Sequence, residues 1–245
     1  MTDSHRAPPA GQAPGKKEAV EAMFDDIAPR YDLLNRLLSL GIDQSWRDEA
    51  IRQLEDVRPN RILDVATGTG DLAIKALELQ PEKVVGVDIS EAMLARGREK
   101  LDRMGLSDRV TLQRGDAEKL PFSDAQFDAV LVAFGVRNFE NLRLGLEEIH
   151  RVLRAGGSLV VLEFSHPTAF PVKQAYGLYA HFVLPAIGRW LSKNRSAYAY
   201  LPASVDAFPS SEAFREELRA AGFVDVGSKP LTFGVASLYT GKKPL

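Results

Sequence analysis

Residues 62–71 have the sequence Ile-Leu-Asp-Val-Ala-Thr-Gly-Thr-Gly-Asp, a short apolar run that leads directly into two closely spaced glycines. An apolar run of this length, bounded by turn residues, is typical of a buried strand in a parallel sheet. Glycine lets the backbone turn sharply and approach a ligand, and the N–H groups that open a following helix face that ligand. The stretch therefore predicts a strand, a turn and a helix that hold a nucleotide-like cofactor.

The composition is that of an ordinary globular protein, with 245 residues, 45% of them hydrophobic, and a net charge of −2. A near-neutral chain has no electrostatic footprint for nucleic acid, so we expect no nucleic-acid partner. The chain has no cysteine, and its four histidines lack metal-ligand spacing, so we expect neither disulfides nor a metal site. No signal peptide or membrane-spanning stretch is recognisable, which favours a cytoplasmic protein.

Strands and helices alternate after residue 59. Strands are predicted at residues 61–66, 83–88, 110–116, 127–133 and 158–164, with a turn at 154–157 and two further strands at 224–231 and 235–243. Strands that alternate with helices indicate right-handed crossovers and helices on both faces of a parallel sheet. The last two strands have no helix between them, which predicts a hairpin. The fold class is therefore α/β, a doubly wound sheet that is mostly parallel with an antiparallel last strand.

The remaining segments flank this sheet. Residues 1–17 are rich in proline, glycine and alanine, which predicts a disordered tail. Residues 18–245 are predicted to form a single domain, with N-terminal helices over residues 18–58. The apolar, aromatic residues 168–192 are interrupted by charges and a proline, so we expect a helical lid within 168–208 rather than a membrane span. The lid would touch a lipid-like substrate and the membrane periphery, or else pack on the core. The sequence leaves a homodimer open.

Residues 68–73, with the sequence GTGDLA, match the dinucleotide-binding pattern G-x-G-x-x-G/A. Asp88 follows the first glycine at the distance where an acidic side chain binds the hydroxyls of an adenosine ribose. NAD and other adenosine cofactors both offer that ribose. These two features alone therefore leave the cofactor open.

Three further features favour a nucleotide that carries an amino acid. Asp64 precedes the glycines and suits an ammonium group better than a pyrophosphate, and Asp116 ends the third strand, where an adenine amino group could donate to it. The Tyr-x-x-x-Lys pair, Tyr239 and Lys243, lies on a predicted strand, so these residues would be roughly 13 Å apart and unsuited to hydride chemistry. The alternative role for the carboxylates is strand-end capping and turn formation.

These motifs resemble the class I S-adenosylmethionine-dependent methyltransferases. The resemblance implies a Rossmann-like sheet of seven strands, the last antiparallel, and S-adenosyl-L-methionine as the cofactor. By motif position, it implies cofactor contacts from Asp64, Gly68, Thr69, Gly70, Asp88, Asp116, Ala117 and Ala133. Ala133 stands where many members have serine, so only a backbone or packing contact is expected there.

Residues 31–46, 134–138 and 151–165 are similar to the signatures of the ubiquinone/menaquinone biosynthesis C-methyltransferase family. The sequence departs from them at Leu34, usually Met, at Asp43, usually His, and at residues 154–155, usually Lys-Pro. The resemblance implies methylation of a lipophilic polyprenyl hydroquinone, and residues 165–168 and 173–176 favour demethylmenaquinol over the 2-methoxy-6-polyprenyl-1,4-benzoquinol of the ubiquinone pathway. The alternatives are a methyltransferase that acts on another small acceptor and a non-catalytic subunit that binds the cofactor.

Transfer of a methyl group to an aromatic carbon needs an electron-rich ring, which a hydroquinone becomes when a phenol proton leaves. Catalysis would then come from alignment and from a group that stabilises the phenolate. We expect Arg137 to stabilise the phenolate or order a water that takes the proton. Asn138 would orient the ring oxygen, and Tyr31 would complete the wall of the site around the cofactor. His166 is a rival base. The alternative for Arg137 is a structural ion pair with a carboxylate such as Glu163.

Overall fold

The computed structural model describes residues 15–39, 41–167, 170, 171, 174, 177 and 195–245. Its strands are β1 (Arg61–Val65), β2 (Lys83–Asp88), β3 (Val110–Arg114), β4 (Phe127–Ala133), β5 (Leu153–Phe164), β6 (Val224–Leu231) and β7 (Ala236–Lys242). Its α-helices are α1 (Lys16–Ile27), α2 (Tyr31–Ser39), α3 (Ile42–Arg52), α4 (Asp71–Lys75), α5 (Glu91–Met104), α6 (Leu142–Val152), α7 (Arg195–Ala207) and α8 (Ser211–Ala220). Short 3-10 turns cover Ala28–Arg30, Ala76–Leu79, Val136–Asn138 and Thr232–Gly234.

The strands form one seven-stranded sheet in the order β3-β2-β1-β4-β5-β7-β6. The first five strands pair in parallel, and β7 runs antiparallel to both β5 and β6. The predicted fold class and the hairpin of the last two strands are confirmed. The chain order reverses between β1 and β4, and in open α/β sheets ligands bind at the carboxyl ends of the strands beside such a reversal.

Each strand sends alternate side chains into two apolar layers, because successive strand residues point to opposite faces. Leu63 of β1 belongs to one layer, which α6 and α8 cover with residues such as Ile149 and Phe214. Its neighbour Ile62 belongs to the other, which α3 and α5 cover with residues such as Leu94. All five side chains are fully buried. The strands therefore lie rigidly between helices, and their carboxyl ends are fixed points for a site.

The turn predicted at residues 154–157 is wrong, because these residues belong to β5. Leu153 pairs with Phe127 while Ser158 pairs with Ala129, so β5 carries an irregularity that takes up several extra residues. Gly156 has a φ of +72°, which glycine adopts without steric cost. A bulge of this kind preserves pairing on both sides of an irregular stretch.

Two other boundaries differ from the prediction by two residues each. β3 ends at Arg114 rather than at residue 116, because Asp116 forms an isolated bridge with Lys119 instead. α1 begins at Lys16, inside the stretch assigned to the tail, while residues 1–14 lie outside the described residues. Most of the expected lid, including nearly all of residues 168–192, also lies outside them, and its last part is α7.

The close contact between α5 and the glycine turn is tested by Gly97→Ala. A Cβ at this position would lie 2.4 Å from Leu112 Cδ1 and 3.0 Å from the backbone oxygen of Thr69. Because the backbone cannot move aside cheaply, we expect a loss of about 1–3 kcal/mol in the free energy of unfolding, measured with urea. Arg96→Ala, at an exposed position of the same helix, is the control. Unchanged stability of Gly97→Ala would contradict this packing.

Candidate active site

A cleft of about 700 Å³ lies at the carboxyl ends of β1, β2, β3 and β4, beside the reversal of chain order. Its roof comes from α1 and the start of α2. Seven of the predicted site residues line it: Tyr31, Gly68, Asp88, Asp116, Ala117, Ala133 and Asn138. The other five, Asp64, Thr69, Gly70, Arg137 and His166, lie outside its lining. The structure therefore brings most of the predicted residues together in the lining of one cleft, and places the others outside that lining.

The glycine turn between β1 and α4 has the conformation that its sequence predicts. Gly68 has a φ of +57° and Gly70 a φ of +82°, both in the left-handed region that favours glycine. Gly68 donates its N–H to Asp88 Oδ2 at 2.8 Å, and Gly70 donates to the carbonyl of Thr67 at 2.9 Å. A Cβ at Gly68 would lie 3.6 Å from Tyr31 Cε1, in van der Waals contact. Tyr31 thus lies close to the glycine turn.

Asp64 lies below this turn and is 1% exposed. Its Oδ2 accepts a hydrogen bond from the Thr67 hydroxyl at 2.6 Å, while its Oδ1 has no hydrogen-bond partner in the described part of the chain. Burial raises the pKa of this carboxyl to about 7, and the Thr67 hydroxyl, the charge of Arg47 and the backbone N–H of Ala73 oppose that rise. A buried oxygen with too few donors costs free energy, and a further donor from a ligand would relieve that cost. The ammonium group of an amino acid is such a donor.

Asp88 lines the cleft at the end of β2. Its Oδ2 accepts the N–H of Gly68, and its Oδ1 accepts the N–H of Ser90 at 2.9 Å. Burial raises the pKa of this carboxyl to about 6, and these backbone donors oppose the rise. Each carboxylate oxygen has a second lone pair, so Asp88 retains the capacity to accept the hydroxyls of a ribose.

Asp116 also lines the cleft and forms an ion pair with α1. Lys17 Nζ lies 2.6 Å from Asp116 Oδ2, and the hydrogen bond to Asp116 raises the pKa of the lysine. Two further polar contacts hold α1 over the cleft: Asp25 accepts from the Ser90 hydroxyl at 2.6 Å, and Glu21 pairs with Arg114. The sequence did not identify Lys17 as a site residue, because no local pattern distinguishes it from the preceding polar tail.

Thr69 connects the glycine turn to α2 from behind the cleft. Its hydroxyl donates to Asp32 Oδ1 at 2.5 Å, and Lys100 Nζ lies 2.7 Å from both Asp32 Oδ2 and Asp71 Oδ1. Lys100 also donates to the Thr69 hydroxyl at 3.2 Å. This network fixes α2, and with it Tyr31, relative to the turn. Lys100 is a second residue that sequence patterns did not reveal.

Arg137 is buried and forms an ion pair with Glu163, the structural role that the sequence offered as the alternative to catalysis. Its Nη1 lies 2.7 Å from Oε1 of Glu163, whose side chain is fully buried. It also donates to the Phe134 carbonyl and, through Nε, to the Ser204 hydroxyl at 3.3 Å. Burial raises the pKa of Glu163, and the Arg137 charge opposes that rise. Arg137 Nη2 donates to none of the described residues.

Asn138 and His166 occupy different surroundings. Asn138 lines the cleft and accepts a hydrogen bond at its Oδ1 from the Tyr200 hydroxyl of α7 at 3.1 Å. Burial raises the pKa of Tyr200, another residue that the sequence did not identify. The His166 side chain is 49% exposed and lies 3.2 Å from Asp206, away from the cleft lining. The described structure therefore gives no contact between His166 and the other site residues.

Two solved structures share this fold. The [4+2]-cyclase SpnF superposes with a TM-score of 0.68 at 20% identity, over 95% of this chain and 98% of that one. A SAM-dependent methyltransferase from Thermotoga maritima gives a TM-score of 0.64 at 20% identity, over 91% and 99%. At this identity the likeness defines the fold alone, a Rossmann-like fold found in S-adenosylmethionine-dependent methyltransferases.

Sequence relatives define the family. The model of the ubiE/COQ5 methyltransferase family matches residues 12–243. The demethylmenaquinone methyltransferase of Bacteroides fragilis is 52% identical over 93% of this chain and 94% of its own length, and that of Deinococcus radiodurans 48% identical over 99% and 100%. The ubiquinone/menaquinone biosynthesis C-methyltransferase UbiE of Geobacter sulfurreducens is 46% identical over 94% and 90%. This chain belongs to the ubiE/COQ5 methyltransferase family, which confirms the resemblance and its cofactor, S-adenosylmethionine.

The buried charge of Asp64 is tested by Asp64→Asn in the ligand-free protein. The pKa of Asp64 is raised from 3.8 to about 7, so the folded protein retains a proton that the unfolded chain releases, and stability falls as the pH rises through this range. We expect the variant to be more stable than the wild type by on the order of 1–3 kcal/mol at pH 8, and by less at pH 5, in urea unfolding.

The control for this prediction is Asp56→Asn, which changes an exposed carboxylate and should leave stability unaltered at both pH values. Equal stabilities of the wild type and Asp64→Asn at pH 8 would contradict the cost assigned to the buried charge.

Proposed function

We propose that this protein transfers a methyl group from S-adenosylmethionine to a ring carbon of a polyprenyl hydroquinone, converting demethylmenaquinol to menaquinol. The observation that carries this proposal is the near full-length similarity, at 52% and 48% identity, to two demethylmenaquinone methyltransferases. The ubiquinone-pathway benzoquinol is the second candidate, because the relative from Geobacter sulfurreducens is named for both pathways.

The cleft supports this proposal through its fit to the cofactor. Asp64 Oδ1, buried and without a hydrogen-bond partner in the described residues, would accept from the ammonium group. Gly68, which has no Cβ, would let the chain that carries the ammonium approach the backbone of the turn. Asp88 would hold the ribose hydroxyls, and Asp116 with Ala117 the adenine. When bound, S-adenosylmethionine supplies the electrophilic methyl group on its sulfonium. The turn and the strand ends would align that group by holding both ends of the molecule.

The acceptor would lie on the β4 side of the cleft. Phe134 lines the cleft, and its ring centroid lies 4.5 Å from that of Phe164. The ring centroid of Trp46 lies 6.0 Å from that of Phe134. Arg137 lies over the Phe164 ring at 5.3 Å and is held by Glu163. An apolar wall beside one fixed cation suits a hydroquinone ring, because the cation stabilises the phenolate that forms when the phenol proton passes to water. Asn138 would orient the ring oxygen.

The route of the isoprenoid tail remains a prediction. Residues 168–192, the expected lid, lie mostly outside the described residues, but Phe170 at its start is 81% exposed. In the part of the chain that the structure describes, no helix is long and apolar enough to cross a membrane. We propose that the lid covers the tail and contacts the inner face of the membrane peripherally, with the enzyme in the cytoplasm.

The proposal is tested with the purified protein, S-adenosylmethionine and two reduced acceptors, demethylmenaquinol and 2-methoxy-6-polyprenyl-1,4-benzoquinol. Mass spectrometry should show one added methyl group on demethylmenaquinol at the higher kcat/KM. Methylation of the benzoquinol alone would transfer the assignment to the ubiquinone pathway. Turnover of neither quinol, with S-adenosylhomocysteine still bound, would reject the proposed reaction.

The role of Arg137 is tested by Arg137→Ala. Loss of a fixed cation beside a developing phenolate should lower kcat by about 100-fold, while affinity for S-adenosylhomocysteine stays near that of the wild type. Because this variant leaves Glu163 without its partner, the double variant Arg137→Ala/Glu163→Gln is made as well, to separate activity from stability.

Circular dichroism and thermal unfolding establish that both variants are folded. A folded double variant with near-normal turnover would show that Arg137 serves only as the structural partner of Glu163, as in the alternative drawn from the sequence.

A further inference from the structure

Like Asp64, Arg47 has a buried polar atom without a hydrogen-bond partner among the described residues. Arg47 of α3 is 6% exposed, and its Nη1 forms an ion pair with Asp43, four residues earlier on the same face of the helix. Its Nε is buried and has no hydrogen-bond partner in the described part of the chain. A buried cation usually uses all its N–H groups, because an unsatisfied donor costs free energy. The Nε–H of Arg47 is therefore available to an acceptor that is a ligand.

The position of Arg47 connects it with the cleft. Its guanidinium carbon lies 5.9 Å from the centroid of the Phe134 ring, and Phe134 lines the cleft. Its charge also acts on Asp64 and on Tyr31, lowering the pKa of each against the effect of burial. Arg47 Nε and Asp64 Oδ1 are thus an unpaired donor and an unpaired acceptor, both buried.

We propose that Arg47 binds the carboxylate of the amino-acid end of S-adenosylmethionine through Nε–H, while Asp64 binds the adjacent ammonium. The proposal rests on the position assigned to the cofactor in the proposed function. A zwitterion carries one anionic and one cationic group on the same carbon, and it would satisfy both unpartnered atoms together. Charge-assisted hydrogen bonds of this kind, formed away from water, are stronger than neutral ones.

Asp43 has the role of a positioning residue. It occupies the terminal Nη1 of Arg47, which leaves Nε free, and it is itself held by the Ser39 hydroxyl at 2.6 Å and by Gln44 at 3.2 Å. The pairing of Asp43 with Arg47 would preset the guanidinium before the cofactor arrives.

The test compares two ligands that differ in the amino-acid portion. S-Adenosylhomocysteine carries the carboxylate and ammonium, and 5′-methylthioadenosine carries neither. In Arg47→Ala, calorimetry should show affinity for S-adenosylhomocysteine falling by about 10- to 100-fold, the size expected for one lost charge-assisted hydrogen bond, with 5′-methylthioadenosine unchanged within about twofold. Equal loss for both ligands, or no loss for either, would overturn the proposal.

A third ligand separates the two groups. Decarboxylated S-adenosylmethionine keeps the ammonium and lacks the carboxylate, so Arg47→Ala should bind it as the wild type does, whereas Asp64→Asn should bind it more weakly. Weaker binding of this ligand to Arg47→Ala would contradict a contact with the carboxylate.

Two variants control for folding. Arg47→Lys keeps a charge beside Asp43 but removes the Nε–H, so it should show the same selective loss if Arg47→Ala unfolds. Arg52→Ala removes an exposed arginine of α3 that pairs with Glu49, and it should bind all three ligands normally. A wild type that binds S-adenosylhomocysteine but methylates no quinol would reject the proposed reaction and leave this assignment intact. A wild type that does not bind S-adenosylhomocysteine would overturn it.

Discussion

The buried carboxylate of Asp64 is the constraint on which the site depends. The sheet places it at the end of β1, under a glycine turn that excludes water, and the Thr67 hydroxyl satisfies only one of its oxygens. Burying a charge without a full set of donors costs free energy, which the raised pKa of about 7 expresses. A cationic ligand that pairs with Asp64 would remove that cost when it binds, so the ligand-free protein bears the cost at the proposed contact with its cofactor.

Ion pairs from the N-terminal helices surround this centre. Lys17 of α1 pairs with Asp116, and Asp32 of α2 pairs with Lys100 behind the glycine turn. Both helices also contribute to the roof of the cleft, through residues such as Phe24 and Tyr31. Asp116, the carboxylate that would hold the adenine, thus also pairs with the helix above it.

The sequence predicted the sheet well because its strands have a strong local signal, a short apolar run that ends in a turn. It also located Asp88 and Asp116, because the carboxyl ends of parallel strands meet at one edge of a sheet. It missed Lys17, Lys100 and Tyr200, because each contacts the site through a residue far away in the chain. The sequence also did not predict the irregularity in β5, because it depends on the pairing register of β5 with β4.

The central claim, that Asp64 recognises a cation in a buried site, is tested by the protons exchanged on binding. Calorimetry of S-adenosylhomocysteine at about pH 6.5, in buffers of different ionisation enthalpy, measures this number directly. Since the pKa of free Asp64 is about 7 and an ammonium partner lowers it, the wild type should release a large part of one proton. Asp64→Asn should lose that release and bind more weakly. Equal proton release by both proteins, or none by the wild type, would contradict the account.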